Sequence, residues 1–192
     1  MPHENFIKTL EDTPIVAAVK DDAGLEKALT SDIGIIFVLY GNVCTVGQIT
    51  ERIKESGKLS FVHVDLIDGL NSKTISLDFL KQNTKADGII TTKGSLIPHA
   101  HQLGFYTVLR FFLLDSMAIT NIEKQSSSSS VQPDVIEILP GAVRKKLIEH
   151  ITAVNRVPTM MGGLIADKDD VMNALNGGAI AISTTNQKVW FM

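Results

Sequence analysis

The chain has 192 residues, 44% of them hydrophobic, with 18 Lys+Arg against 21 Asp+Glu and a formal net charge of −3. That apolar content excludes a disordered chain, and the acidic balance excludes a uniformly basic nucleic-acid-binding domain. One cysteine, Cys44, excludes an intrachain disulfide, and no apolar stretch reaches the ~18 residues of a membrane span.

The opening Met1-Pro2-His3-Glu4-Asn5 lacks the basic and apolar regions of a secretory signal, so the sequence points to the cytoplasm. From there, short β-branched runs alternate with stretches of helical character. Ile15–Val19 is the first run, and Asp21-Asp22 starts a helix over Ala23–Leu29. Ile33–Leu39 is the second, followed by Thr45 as the start of Val46–Ser56, which Gly57 can close. Phe61–Leu66 is the third, with Ser72 before a helix to Gln82. Gly88–Thr92, Tyr106–Phe112 and Val135–Leu139 follow. Between the last two lies Ser126–Ser130 before Val131-Gln132-Pro133, read as a solvated, mobile helix end or loop at the end of the molecule where strands begin. Pro158–Met161 is the seventh run. Asp167 then caps Lys168–Leu175, which Gly177-Gly178 can end, and Ala179–Ser183 is the eighth.

Eight runs in 192 residues give ~24 residues per repeat, enough for one strand and one short helix. Eight such units favour a closed α/β barrel of the (β/α)8, TIM type over an open doubly wound sheet. The turn after the first run, Val19-Lys20-Asp21-Asp22-Ala23-Gly24, is no dinucleotide fingerprint. A typical barrel needs ~250 residues. Residues 1–192 are therefore expected to form one small barrel domain with short loops and a reduced or missing helix.

In such a barrel the site lies where the strands end, and alternation tells which residues face the axis. Val62 and Val64 suit the helix layer, so His63 and Asp65 face inward. Ile136 and Ile138 likewise leave Glu137 inward. Ile180 and Ile182 leave Ala179, Ala181 and Ser183 inward. Arg110, among Leu109, Phe111 and Phe112, is ambiguous, but its charge should turn to the mouth. Asp65, Arg110, Glu137 and Ser183, with Lys93 just after the fourth run, thus converge on one end. The plain reading is a self-neutralising ion-pair network. The functional reading is a polar pocket for a small hydroxylated anion.

The loops after the last two runs are more specific. Met161-Gly162-Gly163-Leu164-Ile165 and Ile182-Ser183-Thr184-Thr185-Asn186 stand where barrels commonly build a phosphate site. Glycines let backbone N–H groups approach phosphate oxygens, Ser and Thr add hydroxyl donors, and the next helix start offers free N–H groups. The plainer alternative is a tight turn and a helix cap. The five histidines show no metal-ligand spacing, His99 and His101 being two apart. Cys44 is expected to be a small buried or half-buried thiol. The geometry of the Asp65/Asp68 pair is left open.

Several stretches resemble one family. They are Phe61-Val62-His63-Val64-Asp65-Leu66-Ile67-Asp68-Gly69-Leu70, Asp87-Gly88-Ile89-Ile90-Thr91-Thr92-Lys93, and Arg110 to Ser116. Val135 to Gly141, Gly162 to Ile165, and Ala181 to Asn186 with Trp190 complete the set. Together they resemble the glycerol uptake operon antiterminator regulatory proteins, which respond to glycerol 3-phosphate. The resemblance spans nearly the whole chain. It implies a TIM-type barrel that binds glycerol 3-phosphate as effector and acts on the leader mRNA of glycerol-utilisation genes, without catalysis, metal or cofactor. Carried onto this sequence, Gly162, Gly163, Ser183 and Thr184 hold the phosphate, and Asp65, Lys93, Arg110 and Glu137 line the glycerol end. The Ser126–Ser130 run departs from the more charged helix end that the resemblance leads one to expect.

Arg144-Lys145-Lys146 is the densest basic run and the candidate RNA contact. Its alternative is the solvated face of an amphipathic helix, away from the barrel mouth. A homo-oligomer is compatible with the sequence. Two other functions stay open at this point. One is an isomerase- or synthase-type enzyme on a small phosphorylated substrate, with Glu137 or Asp65 as base and Lys93 as acid or electrophile. The other is an inactive barrel that binds a metabolite for another output.

Overall fold

β-branched and aromatic residues fill eight short strands, and these close on themselves. The computed structural model describes residues 2–128 and 131–192. Its strands are β1 (Ile15–Val19), β2 (Ile35–Val38), β3 (Leu59–His63), β4 (Gly88–Thr91), β5 (Tyr106–Phe112), β6 (Val135–Leu139), β7 (Thr159–Gly162) and β8 (Ile182–Thr184). Each pairs in parallel with the next, and β8 pairs with β1 through Val16 opposite Ser183. This is the TIM-type barrel that the eight runs predict. Every strand end lies within three residues of its predicted position. Val64–Leu66, expected as strand, is instead a 3-10 turn that bends the chain off the barrel rim.

The helices are α1 (Pro2–Asp12), α2 (Asp22–Thr30), α3 (Val46–Glu55), α4 (Thr74–Asn83), α5 (Ile97–Gln102), α6 (Ser116–Ser128), α7 (Lys145–Val154) and α8 (Lys168–Asn176). The expected economy is visible: α5 has 6 residues, and a 3-10 turn at Val189–Phe191 follows β8 in place of an outer helix. Asp21 and Asp167 cap α2 and α8 through Gly24 N and Asp170 N. Ser72 is no cap; Lys73 holds that position, and the Ser72 hydroxyl donates to Asp65 instead. Helix α6 takes in the first three serines of Ser126–Ser130, and the prediction for the last two lies outside the described residues.

Apolar side chains form two layers. Between strands and helices, residues such as Ile36, Val62, Ile89, Ile136 and Ile182 are buried against the helix ring. Inside the barrel lie Val16, Ala18, Ile35, Phe37, Phe61, Ile90, Val108, Val135, Met160 and Ala181, joined by Phe6 and Leu10 of α1. Phe6 and Phe61 pack in a tilted arrangement with centroids 4.6 Å apart, and Phe37 lies 5.6 Å from Phe61. Helix α1 therefore plugs the end where the strands begin. Ala179 packs in the outer layer and Ile180 against the interior, the reverse of the predicted alternation, because β8 begins only at Ile182.

Candidate functional site

Above the aromatic floor the interior turns polar. Val108 and Val135 face the axis, so two residues on Arg110 and Glu137 do too. They stand opposite each other in the β5–β6 register. This resolves the ambiguity of Arg110. Its Nε donates to Glu137 Oε2 at 2.6 Å, and the two side chains are 7% and 0% exposed. The Ser183 hydroxyl donates to the other oxygen, Glu137 Oε1. Gly162 makes this cluster feasible: a Cβ there would lie 2.5 Å from both Glu137 Oε1 and Ser183 Oγ. Glu137 is thus sealed beneath the mouth with both oxygens engaged, and Gly162 is the gap that admits it.

A cavity of about 350 Å³ opens over this cluster. Its wall includes Arg110, Leu139, Ser183 and Thr184, together with Gly163–Ala166 from one loop and Thr185-Asn186 from the next. Of the predicted residues, Arg110, Gly163, Ser183 and Thr184 border it. The loops are tied to each other. Thr184 Oγ1 donates to Ile165 O at 2.9 Å, and Asn186 Nδ2 donates to Ala166 O at 2.7 Å. Gly163 (φ 73°) and Leu164 (φ 59°) are both left-handed. For a leucine that conformation costs about 1–2 kcal/mol, and its side chain is 75% exposed.

The helix start expected to offer free N–H groups is already filled. Asp167 accepts from Asp170 N at 3.0 Å, and Asp170 Oδ2 accepts from Ala166 N at 2.8 Å. These carboxylates serve the α8 dipole and its first amides themselves. Among the described residues, the N–H groups of Leu164, Ile165 and Thr185 engage no hydrogen-bond acceptor. Together with the rest of the Arg110 guanidinium, they are donors that engage no acceptor at this mouth.

Asp65 and Lys93 stand apart from the cavity wall. Asp65 braces neighbouring loops: Thr92 N donates to it at 2.8 Å, and the Thr91 and Ser72 hydroxyls at 3.2 Å. Lys93 is exposed, and its N–H donates to Thr91 Oγ1 at 3.1 Å. His63 is a polar residue that motif reasoning passed over, although its inward direction was legible. It is 3% exposed, and its Nδ1 has no hydrogen-bond partner, the nearest carboxylate oxygen (Asp65 Oδ2) lying 3.7 Å away. Burial, reinforced by the Arg110 charge, pushes the imidazole down to about 4, so it is neutral near pH 7.

Arg144, Lys145 and Lys146 lie at the first turn of α7, on the same end as the cavity rather than on a remote helix face. All three are exposed, and Lys145 Nζ lies 3.4 Å from Glu149. Cations at a helix N-terminus oppose its dipole. Gly141 N donates to Gly163 O at 2.9 Å, and Asn173 Nδ2 to Val143 O at 2.8 Å, so the segment leading to these cations is bonded to the cavity loop and to α8. Cys44 is exposed, contrary to expectation, in the loop after β2. Among the described residues no cluster of three His, Cys, Asp or Glu is arranged for a metal, and no helix is long and apolar enough to cross a membrane.

The profile of the glycerol-3-phosphate responsive antiterminator family matches residues 15–190, from the first residue of β1 to the final 3-10 turn. The chain belongs to this family. The chain is 46% identical over 185 residues to the uncharacterized protein YgcP of Escherichia coli K12, covering 96% of this chain and 95% of that one. It superposes with a TM-score of 0.83 on the glycerol uptake operon antiterminator regulatory protein of Listeria monocytogenes (32% identity, 92% and 94% coverage). A glycerol uptake operon antiterminator-related protein of Thermotoga maritima gives 0.81 (29% identity, 94% and 99% coverage). Orotidine 5'-phosphate decarboxylase of Pyrococcus horikoshii, at 16% identity and a TM-score of 0.67, shares the fold alone.

Proposed function

We propose that this chain is an antiterminator that senses glycerol 3-phosphate in the barrel mouth and, so loaded, acts on the leader mRNA of glycerol-utilisation genes, without chemical turnover and without a metal or cofactor. The observation that carries this reading is the cavity wall: one buried arginine beside two bonded loops with free amides, around a volume suited to a small organic phosphate. In this reading the phosphate rests on the Gly163–Ile165 and Ser183–Thr185 backbone, with Arg110 as its counter-charge. Gly162 and Thr184 keep the loops in shape, while Asp65 braces the neighbouring loops outside the cavity wall. Glu137 serves as the buried partner of Arg110. A carboxylate with no exposed surface and both oxygens engaged is poorly placed to act as a base, which favours a sensor over an enzyme.

Thermal denaturation with glycerol 3-phosphate, glycerol and inorganic phosphate tests the effector. At ~100 times its Kd the effector adds about 2.7 kcal/mol, or roughly 5–10 °C in a chain of this size. Glycerol, lacking the charged group, should shift the midpoint little. No shift at millimolar glycerol 3-phosphate refutes the assignment, and product formation from triose phosphates dependent on Glu137 restores the enzyme.

A further inference from the structure

We propose that unpaired RNA is read on the rim between the ends of β5 and β6, with the Phe112 ring as a stacking platform for a base and Arg144, Lys145 and Lys146 as contacts for the adjoining phosphates. The inference deepens the antiterminator reading and rests on it.

Phe112 is the last residue of β5. Alternation starts it on the same side as Val108 and Arg110, two residues beyond the buried ion pair, and at the rim it lines the groove toward α6. It is 49% exposed, and Leu114 and Met117 beside it are 87% and 69% exposed. A groove of about 360 Å³ runs between Phe111, Phe112 and the start of α6. Large apolar groups gathered at one edge carry an unfavourable hydration free energy unless something covers them.

The neighbouring loop indicates what covers them. Phe112 is in register with Leu139, and Leu113 N donates to Leu139 O at 2.7 Å. From Leu139 the chain runs through Gly141 to the three exposed cations at the head of α7, where the helix dipole disfavours them. Cations on the segment that leaves the strand paired with Phe112, on a chain of net charge −3, give this end of the barrel a local charge complementary to a phosphodiester whose unstacked base reaches the ring. Asp115, a carboxylate in the groove, is turned to Ala118 N at 3.1 Å, where it serves the first turn of α6. The cations favour nucleic acid over an apolar protein surface, and an open ring favours single strands over duplex, whose bases are already stacked.

The test begins with a random-sequence single-stranded RNA pool, selected on the wild-type protein with glycerol 3-phosphate present. The enriched RNA is then titrated against variants. Phe112→Leu keeps the apolar surface but removes the stacking face, and should weaken binding about ten- to a hundredfold. Phe112→Trp should restore it. The triple Ala variant at Arg144, Lys145 and Lys146 should flatten the log–log salt slope by about 0.7 per lost contact. Phe112→Leu binding like the wild type overturns the proposal and leaves antitermination standing. A change of oligomeric state with unaltered RNA affinity also overturns it, making the patch an interface between copies. A wild-type protein that retains no RNA removes the antiterminator reading, and this surface with it. Leu114→Ser, at a position 87% exposed, is a second variant whose folding is not in doubt and which should weaken binding in the same direction.

Discussion

Replacing Glu137 by glutamine changes one atom's identity and one charge at the centre of the site. Glu137 is fully buried and accepts from Arg110 Nε at 2.6 Å and from the Ser183 hydroxyl. The amide oxygen can keep the Ser183 bond, but its NH2 then faces the Arg110 donor. The guanidinium, 7% exposed, loses its counter-charge while remaining out of water. Breaking a buried pair on one side costs about 3–5 kcal/mol, which at ~2–4 °C per kcal/mol lowers the melting midpoint by roughly 6–20 °C. Calorimetry or circular dichroism at neutral pH measures this directly. Two further outcomes distinguish the charge argument from simple disruption. Arg110→Met combined with Glu137→Gln should be less destabilised than Glu137→Gln alone, since no uncompensated charge remains. The midpoint shift caused by glycerol 3-phosphate should be at least as large in Glu137→Gln as in the wild type, the anion standing in for the lost carboxylate. A Glu137→Gln protein that melts with the wild type refutes the reasoning, because Arg110 would then be solvated through the mouth.

Two other predictions follow from the same geometry. His63 titrates at about 4 in the folded chain against 6.5 ordinarily, so the unfolded chain binds its proton first. Stability is therefore full above ~6.5 and falls as pH drops toward 4, by about 3 kcal/mol. Urea denaturation of wild type and His63→Leu should diverge by that amount across the window, and parallel profiles would refute it. Gly163→Val places a branched side chain at φ 73° with its Cβ 3.3 Å from Leu139 Cδ2. The strain, about 1–2 kcal/mol, should leave the barrel folded while abolishing the glycerol 3-phosphate shift. An unchanged shift would put the phosphate elsewhere.

The strands were legible because each is a dense β-branched run, and their number alone sufficed for the barrel. Helix starts at Asp21 and Asp167 were legible from one side chain each. Helix α1 was not anticipated, although Phe6 and Leu10 carry the i, i+4 spacing of a buried face; a helix before the first strand has no place in a strict βα repeat. The direction of Arg110 could not be read locally, since apolar residues flank it on both sides. It follows from the pairing with Glu137, 27 residues away, and that carboxylate in turn meets Ser183, 46 residues away. Such contacts belong to barrel closure and leave no local trace. The occupied N-terminus of α8 was legible in principle: the Asp167 that announces the helix also fills it.

Plugged by Phe6 and Leu10 where the strands begin, the barrel opens, among the described residues, where the strands finish. Whatever enters the cavity would leave past the rim formed by the loops after β7 and β8. A molecule seated across that rim therefore sets the residence time of the one beneath it, whatever the equilibrium affinities. The order of departure is fixed by geometry: the upper occupant leaves first.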